Sequence, residues 1–376
     1  MNKASVQIQL QDVQAHILRG AKPAAAKYYF LSVDNVDQFA DFLCTDRFRK
    51  LLLSESDIKR YKASKAESQQ PRCFANLAFT YQGLQVLGLP KTILERFPPA
   101  FVEGMSNRAA FIGDQGADSP EQWEGFFGSG QIHVLLALHF IPAVAPAQTE
   151  KAWTQQQIEQ HWEKIDHCWA QLCNGDESVP GSHCLMMEKA HVIRHEQQIK
   201  EHFGFADGIS QPYVNDGGDH RGGGGKKEKN NSDWKPLAAG EFLLGYKDEL
   251  ILRNEVTESG QDLDALLPVP DDQERRAYQK LVTNGSFLVY RKLSQDVIGF
   301  RQDTKSRSDE LAALMVGRRQ DGSSLTASEG DKGNDFDFNN DKAGMTCPYA
   351  SHIRRVNPRL TLNEGADMGT QLVDQH

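Results

Sequence analysis

The chain is 376 residues long, with 39% aliphatic, aromatic and cysteine residues and 25% charged ones, a globular composition with length for two ordinary domains. Its net charge of −9 argues against a generic nucleic-acid binder, whose affinity rests on a basic surface, and no apolar run approaches the roughly 18 residues that span a bilayer. The opening MNKASVQIQLQDVQ lacks the apolar core of a secretory signal, and Cys44, Cys73, Cys168, Cys173, Cys184 and Cys347 form no CxxC pair, so the expectation is a cytoplasmic protein with no nucleic-acid partner, no membrane partner, no zinc ribbon and no disulfide scaffold.

In chain order, residues 27–33 (KYYFLSV) read as a short strand, and Asn35 can cap a helix carrying Phe39, Phe42 and Leu43 at helical spacing. Residues 73–80 read as a second strand, followed from Tyr81 by a helix that Gly88 and Pro90 stop. Residues 132–140 (IHVLLALHF) have the length and composition of a buried strand. Ile158, Trp162, Ile165, Trp169 and Leu172 step by four and three along one helical face, with Asn174 and Gly175 as the exit. Residues 184–193 supply a fourth strand. The order β-α-β-β-α-β predicts a ferredoxin-like unit, with helices on one face of an antiparallel sheet.

Residues 214–235 have almost nothing to bury and read as a mobile linker. Their glycines would suit a phosphate loop only between a strand and a helix, and neither is evident. A second set of elements starts with predicted strands at 241–246 (EFLLGY) and 285–293 (GSFLVYRKL). A helix follows at 308–317, with a serine cap, an acidic first turn and a glycine stop. The predicted boundaries are 1–195 for an N-terminal ferredoxin-like domain, 196–240 for a loop and linker, and 241–376 for a second, incomplete unit. The sequence after Arg359 is too short and polar to close a second sheet, which would leave a strand edge exposed.

Two segments could carry chemistry. In residues 201–212 (EHFGFADGISQP), Gly204 and Gly208 flank Asp207 and allow tight turns and close approach to a ligand. A carboxylate fixed in this way suggests a positioned acid/base. An Asp bonding its own backbone in a turn explains the local pattern at least as well. In residues 347–359 (CPYASHIRRVNPR), His352 stands close to Arg354, Arg355 and Arg359. Imidazole can ligate iron and guanidinium pairs with planar carboxylates. Haem has both needs, although the arginines alone would equally suit phosphate or an acidic partner. His191 and His195 have the spacing of a helical metal pair but read better as strand. Trp162 and Trp169 are explained by core packing, while Tyr290 and Trp234 are less constrained.

Taken together these segments resemble the dye-decolorising peroxidases, a family of haem proteins. The likeness runs through residues 10–18 (LQDVQAHIL), 76–84 (NLAFTYQGL), 97–105 (FPPAFVEGM) and 108–113, then the GxxDG signature at 204–208. It continues through 284–291 (NGSFLVYR), 334–338 (NDFDF) and the proximal-histidine motif at 347–359. The inserts resemble those of the family's larger members. The resemblance implies an α+β fold, with two ferredoxin-like halves forming a dimeric α+β barrel, the second half incomplete at its C-terminus. It also implies haem b, with His352 as iron ligand and Arg354 as propionate partner, and with Gly204, Phe205, Gly208 and Ser210 against the cofactor. Asp207 would be the distal acid/base relaying a proton of hydrogen peroxide, and bulky phenols and dyes would be the reductants.

The family also places a distal arginine in an Arg-Arg-Gly strand motif beyond the proximal histidine, and in that region a carboxylate that bonds the imidazole. No arginine follows Arg359 here. Three expectations stay open: a fragment of a longer protein, a complementing C-terminal chain, or a short form that binds haem or a partner without peroxidase turnover. A homo-oligomer is a further expected partner state.

Overall fold

The computed structural model of the chain describes residues 8–18, 20–64, 72–143, 152–195, 198–206, 208–209, 212–214, 226–227, 234–248, 272–307, 309–326, 334 and 336–356. The first strand, β1, is Ala25–Val33. Asn35 then opens helix α1 (Val36–Cys44), its side chain accepting from the Gln38 N–H at 3.0 Å. A reciprocal Ser54–Asp57 capping box starts α2 (Glu55–Ala63). Strand β2 (Arg72–Phe79) leads through a Thr80 cap into α3 (Tyr81–Val86). After the wholly buried β3 (Val134–Ile141), helix α4 (Gln155–Cys173) runs from a Thr154–Gln157 box to a left-handed Asn174. Strand β4 (Ser182–His191) completes the unit.

The four strands pair in the order β2-β3-β1-β4, every neighbour antiparallel. That order, with α1 and α4 as crossovers, is the ferredoxin-like arrangement expected from the sequence. One face holds Ala25, Tyr29, Leu31, Leu136, Leu138 and Ala75 against Phe39, Phe42, Ile165 and Leu172 of the helices. Trp169 stacks on Tyr29 at 3.8 Å and the Trp162 indole donates to Ala190 O at 3.1 Å, so both tryptophans serve packing. Lys27 points to the same side and pairs with Asp166 of α4.

The opposite face carries Phe74, His139, Tyr28 and Phe30. His139 is buried, lies 4.7 Å from the Phe74 ring and leaves Nδ1 without a partner. Tyr290 packs on this face too, with its ring 5.5 Å from Tyr28 and 5.1 Å from Phe30. It is therefore more constrained than its sequence suggested. Arg291 pairs with Asp114 at 2.5 Å, and Lys292 with Glu124 and Glu188, which fixes the segment alongside.

The second half departs from the expected strands. Leu244 and residues 284–285 exchange backbone bonds, Leu244 N to Gly285 O at 2.9 Å and Asn284 N to Leu244 O at 3.1 Å. The ladder goes no further, because Gly245 (φ 88°) and Asn284 (φ 65°) turn the backbone into the left-handed region on both sides. Residues 241–246 form turns instead of a strand, and 285–293 carries no ladder among the described residues. Short pairs occur elsewhere, β5 (Ile193–His195) with β6 (Gln198–Lys200), and β7 (Lys226–Lys227) with β8 (Trp234–Lys235). The last pair lies inside the segment read as a linker, of which 215–225 and 228–233 fall outside the described residues. Helices α5 (Asp272–Val282), α6 (Val297–Arg307), α7 (Asp309–Val316) and α8 (His352–Val356) complete the chain. The glycine stop expected after α7 is present at Gly317, φ 87°. The expected serine cap, Ser308, lies outside the described residues. No helix among the described residues is long and apolar enough to cross a membrane.

Burial, with a smaller push from His16, brings the His139 imidazole down to about 3 from its ordinary 6.5. The folded chain therefore holds it neutral while the unfolded chain protonates it. Its contribution is complete above the ordinary histidine value and is lost progressively as pH falls from there toward 3. Denaturant unfolding between neutral pH and pH 4 should show this decline, and His139→Phe should flatten it while keeping the stack on Phe74.

Candidate functional site

Strand β6 delivers the chain into the glycine-flanked loop. Glu201 organises it: one carboxylate oxygen accepts from Phe203 N at 2.8 Å, the other from Phe205 N at 2.7 Å. The backbone closes on itself through Gly204 N to Glu201 O at 2.9 Å and Glu201 N to Phe205 O at 3.0 Å. These bonds need Gly204 in the left-handed region, at φ 98°; Gly208 lies at φ 69°. Apart from the chain neighbours, no atom of the described residues lies within 4 Å of where a Cβ would stand at either glycine. Phe205 is buried, while Phe203 rests 4.4 Å from Phe300 of α6. Asp207 and Ser210 lie outside the described residues.

The loop is held from the side by the turn after α7. A Cβ at Gly322 would stand 2.6 Å from Ile209 Cδ1 and 3.1 Å from Ala206 Cβ, so Ala206 and Ile209 pack closely on this turn, where a φ of 90° favours glycine. Gln198 Nε2 donates to Asp321 O at 3.0 Å, and Lys200 Nζ donates to Gln320 O. Inside the turn, buried Arg318 donates to Gly322 O and to Asn334 Oδ1, each at 2.9 Å. At the head of the turn, a Cβ on Gly317 would collide with Ile353 of α8. A continuous set of packed turns thus runs from the 201–209 loop to the helix that begins at His352.

His352 is the first residue of α8, and its side chain is exposed. Arg354 points the other way and is 2% exposed. Its Nη1 donates to Asp341 Oδ2 at 3.2 Å and to Cys347 O at 2.8 Å, its Nη2 to Asp341 O at 2.9 Å. The guanidinium lies between the Phe338 and Tyr349 rings, 4.5 and 4.4 Å from their centroids. Its Nε is buried with no partner. Asp341 also accepts from the N–H groups of Met345, Thr346 and Cys347 at 2.8, 3.0 and 2.8 Å. Burial alone would raise its pKa, but those three bonds and Arg354 hold it below the usual carboxylate value.

Sequence reasoning did not find Asp341, Glu201 or the Arg318–Gly322 contact. Asp341 sits in a polar turn where aspartate is commonplace, and nothing local marks it as the anion facing Arg354. A cavity of about 210 Å³ is lined by His16, Leu18, Pro212, Val214 and Phe242. It touches the chain leaving the loop, but none of the candidate site residues lines it. His191 ends β4 and His195 ends β5, so the strand reading of that pair holds.

Comparison with known proteins gives one family model, the DyP dimeric alpha+beta barrel domain, over residues 12–168. A dye-decolorizing peroxidase from Mycena epipterygia is 26% identical over 403 residues, covering 98% of this chain and 63% of that protein. A multifunctional dye peroxidase from an Amycolatopsis strain is 32% identical over 177 residues, 42% of this chain and 31% of the relative. Among solved structures, an ancestral D-type dye decolorizing peroxidase superposes with a TM-score of 0.69 at 22% identity, over 97% of this chain and 73% of that one. The chain spans about three fifths of the length of the fungal relatives it matches.

Removing Asp341 would leave the Arg354 charge buried and unpaired, so Asp341→Ala should cost about 3 kcal/mol or more in denaturant unfolding. The folded pKa of Asp341 is depressed, so its stabilisation is present above the ordinary carboxylate range and is lost as pH falls through the folded value. Hydrogen exchange at the α8 amides should accelerate below about pH 4, and Asp341→Asn should show the faster exchange already at neutral pH.

Proposed function

We propose that this chain, which carries the DyP dimeric alpha+beta barrel domain over residues 12–168 and is similar to dye-decolorizing peroxidases along its length, acts as a haem-dependent peroxidase that reduces hydrogen peroxide and oxidises dyes and phenols. The observation that carries this reading is the packing of Ala206 and Ile209 on Gly322, and of Gly317 on Ile353, which links the two motif segments through the turn after α7. Two features fit the cofactor. The His352 imidazole is exposed, and the Arg354 Nε is a buried donor with no partner.

In this reading His352 would hold the iron through an imidazole nitrogen. Arg354, braced by Asp341, would be the propionate partner. Gly204, Phe205, Gly208 and Ser210 would contribute to the cofactor-binding segment. Haem, when bound, supplies an iron that binds peroxide and carries the oxidising equivalents on to a bulky aromatic reductant.

The proton traffic belongs to Asp207. Its carboxylate would take a proton from one peroxide oxygen and hand it to the other, which requires it to be ionised at working pH. Glu201 acts one step back, as a positioning residue, because its carboxylate bonds the Phe203 and Phe205 N–H groups and so shapes the chain that leads to Asp207.

Haem titration followed by absorbance in the Soret region tests the assignment. The parent chain should develop a ligated-haem band, and His352→Ala should lose it; an unchanged band in that variant rejects His352 as the ligand. Asp207→Asn should bind haem normally and lose about a hundredfold or more in peroxide-dependent dye oxidation. A parent haem complex that oxidises no dye overturns the peroxidase reading.

A further inference from the structure

The helix side of the sheet carries a pair of thiols that the peroxidase reading leaves unused. Cys73 lies on β2, which among the described residues is an edge strand paired with β3. Strand alternation turns Phe74 to the far face and Cys73, with Ala75, toward α4. The Cys73 Sγ stands 3.8 Å from the carbonyl oxygen of Lys164. In an α-helix that carbonyl is the acceptor for residue 168, so Cys73 lies over the turn that ends at Cys168. The two thiols are joined by a side-chain hydrogen bond. Both are partly exposed at the rim of the core, whereas Cys173 and Cys347 are buried.

We propose that Cys73 and Cys168 form a peroxide-reactive thiol pair, in which Cys168 is the nucleophile, Cys73 resolves it, and the product is a disulfide tying β2 to α4. The thiolate is the reactive form of cysteine. The hydrogen bond from Cys73 lowers the pKa of Cys168. The same bond, together with burial and the Cys168 charge, raises that of Cys73. The proton thus stays on Cys73 while Cys168 attacks.

In the first step the Cys168 sulfur attacks one oxygen of hydrogen peroxide. An S–O bond forms, the O–O bond breaks, and the departing hydroxide takes the Cys73 proton and leaves as water. In the second, the Cys73 thiolate attacks the sulfenic sulfur of Cys168. The S–S bond forms, the S–O bond breaks, and the hydroxide leaves as water with a proton from solvent, matching the one Cys168 lost on becoming a thiolate. Two thiols are oxidised by two electrons, and one peroxide becomes two waters. Closing from hydrogen-bond contact to an S–S length of about 2.05 Å needs a small shift, which falls on the two side chains because β2 is held on its outer side by Ala75 N to Leu51 O and by Gln14 against Leu77. None of these steps involves haem.

The test uses the reduced full-length chain, treated with equimolar hydrogen peroxide, quenched with N-ethylmaleimide, digested and analysed by mass spectrometry. The expected result is a peptide linking Cys73 to Cys168 and the loss of these two thiols from the six that alkylate in the reduced, denatured chain. Cys73→Ser should stop at a sulfenic acid on Cys168 that dimedone traps, and Cys168→Ser should leave Cys73 reduced. The link should also raise the melting temperature, because it closes a long loop. If Cys73 and Cys168 stay alkylatable while exposed Cys44 is oxidised, or if a link between other cysteines forms first, the proposal fails. Because the linked peptide is sought in the parent chain without haem, neither a variant that misfolds nor an inactive haem site can mask the outcome.

Discussion

A histidine on a five-residue helix has no orientation of its own, since so short a helix is unstable in isolation. What orients α8 is the buried pair of Arg354 and Asp341. Asp341 gathers three successive backbone N–H groups before the helix starts, and Arg354 reaches back from within the helix to the same carboxylate and to two carbonyls. The chain from 341 to 354 is thereby closed into a loop about one charge pair. With Arg354 turned inward between two rings, His352, two residues earlier, is turned outward. The inward anchor and the outward imidazole are two consequences of one helical periodicity.

The same economy governs the other wall. The 201–209 loop has few long-range apolar contacts apart from its phenylalanines, so its shape comes from polar bonds made locally by Glu201. Its position, by contrast, comes from Gly322, where the lack of a side chain lets Ala206 and Ile209 approach the turn. Shape and position therefore have separate causes. A substitution at Glu201 would loosen the loop in place, whereas one at Gly322 would displace a loop that keeps its form.

Legibility in the sequence divides along the same line. The first half could be read because each signal was local: Asn35 and Thr154 cap the helices expected after them, Asn174 ends the second, and β3 is apolar throughout. The second half misled because its apolar runs look like strands while single residues decide otherwise. Gly245 and Asn284 hold left-handed backbone where a ladder would have to continue. Phe287, Leu288 and Val289 therefore stay 45%, 63% and 66% exposed in place of forming a sheet. The candidate site residues His352 and the glycine-flanked Asp207 were read from motifs, whereas the contacts that support the described residues around them were not legible. Asp341 and Gly322 act through partners 13 and 116 residues away (341 to 354, 206 to 322), and no local pattern encodes a contact at that range.

The charge distribution gives the supports a further role. The whole chain is acidic, at −9, yet the turns that join the two walls place Arg318 and Arg354 in the interior and Arg355 at the surface. Only Arg354 among these has a carboxylate partner within the described ion pairs, and Arg318 spends its donors on neutral acceptors. Neutral partners satisfy the hydrogen bonds of a guanidinium without cancelling its charge. Arg318 therefore keeps its charge in the interior while its hydrogen bonds are satisfied, whereas Arg354 is neutralised by Asp341.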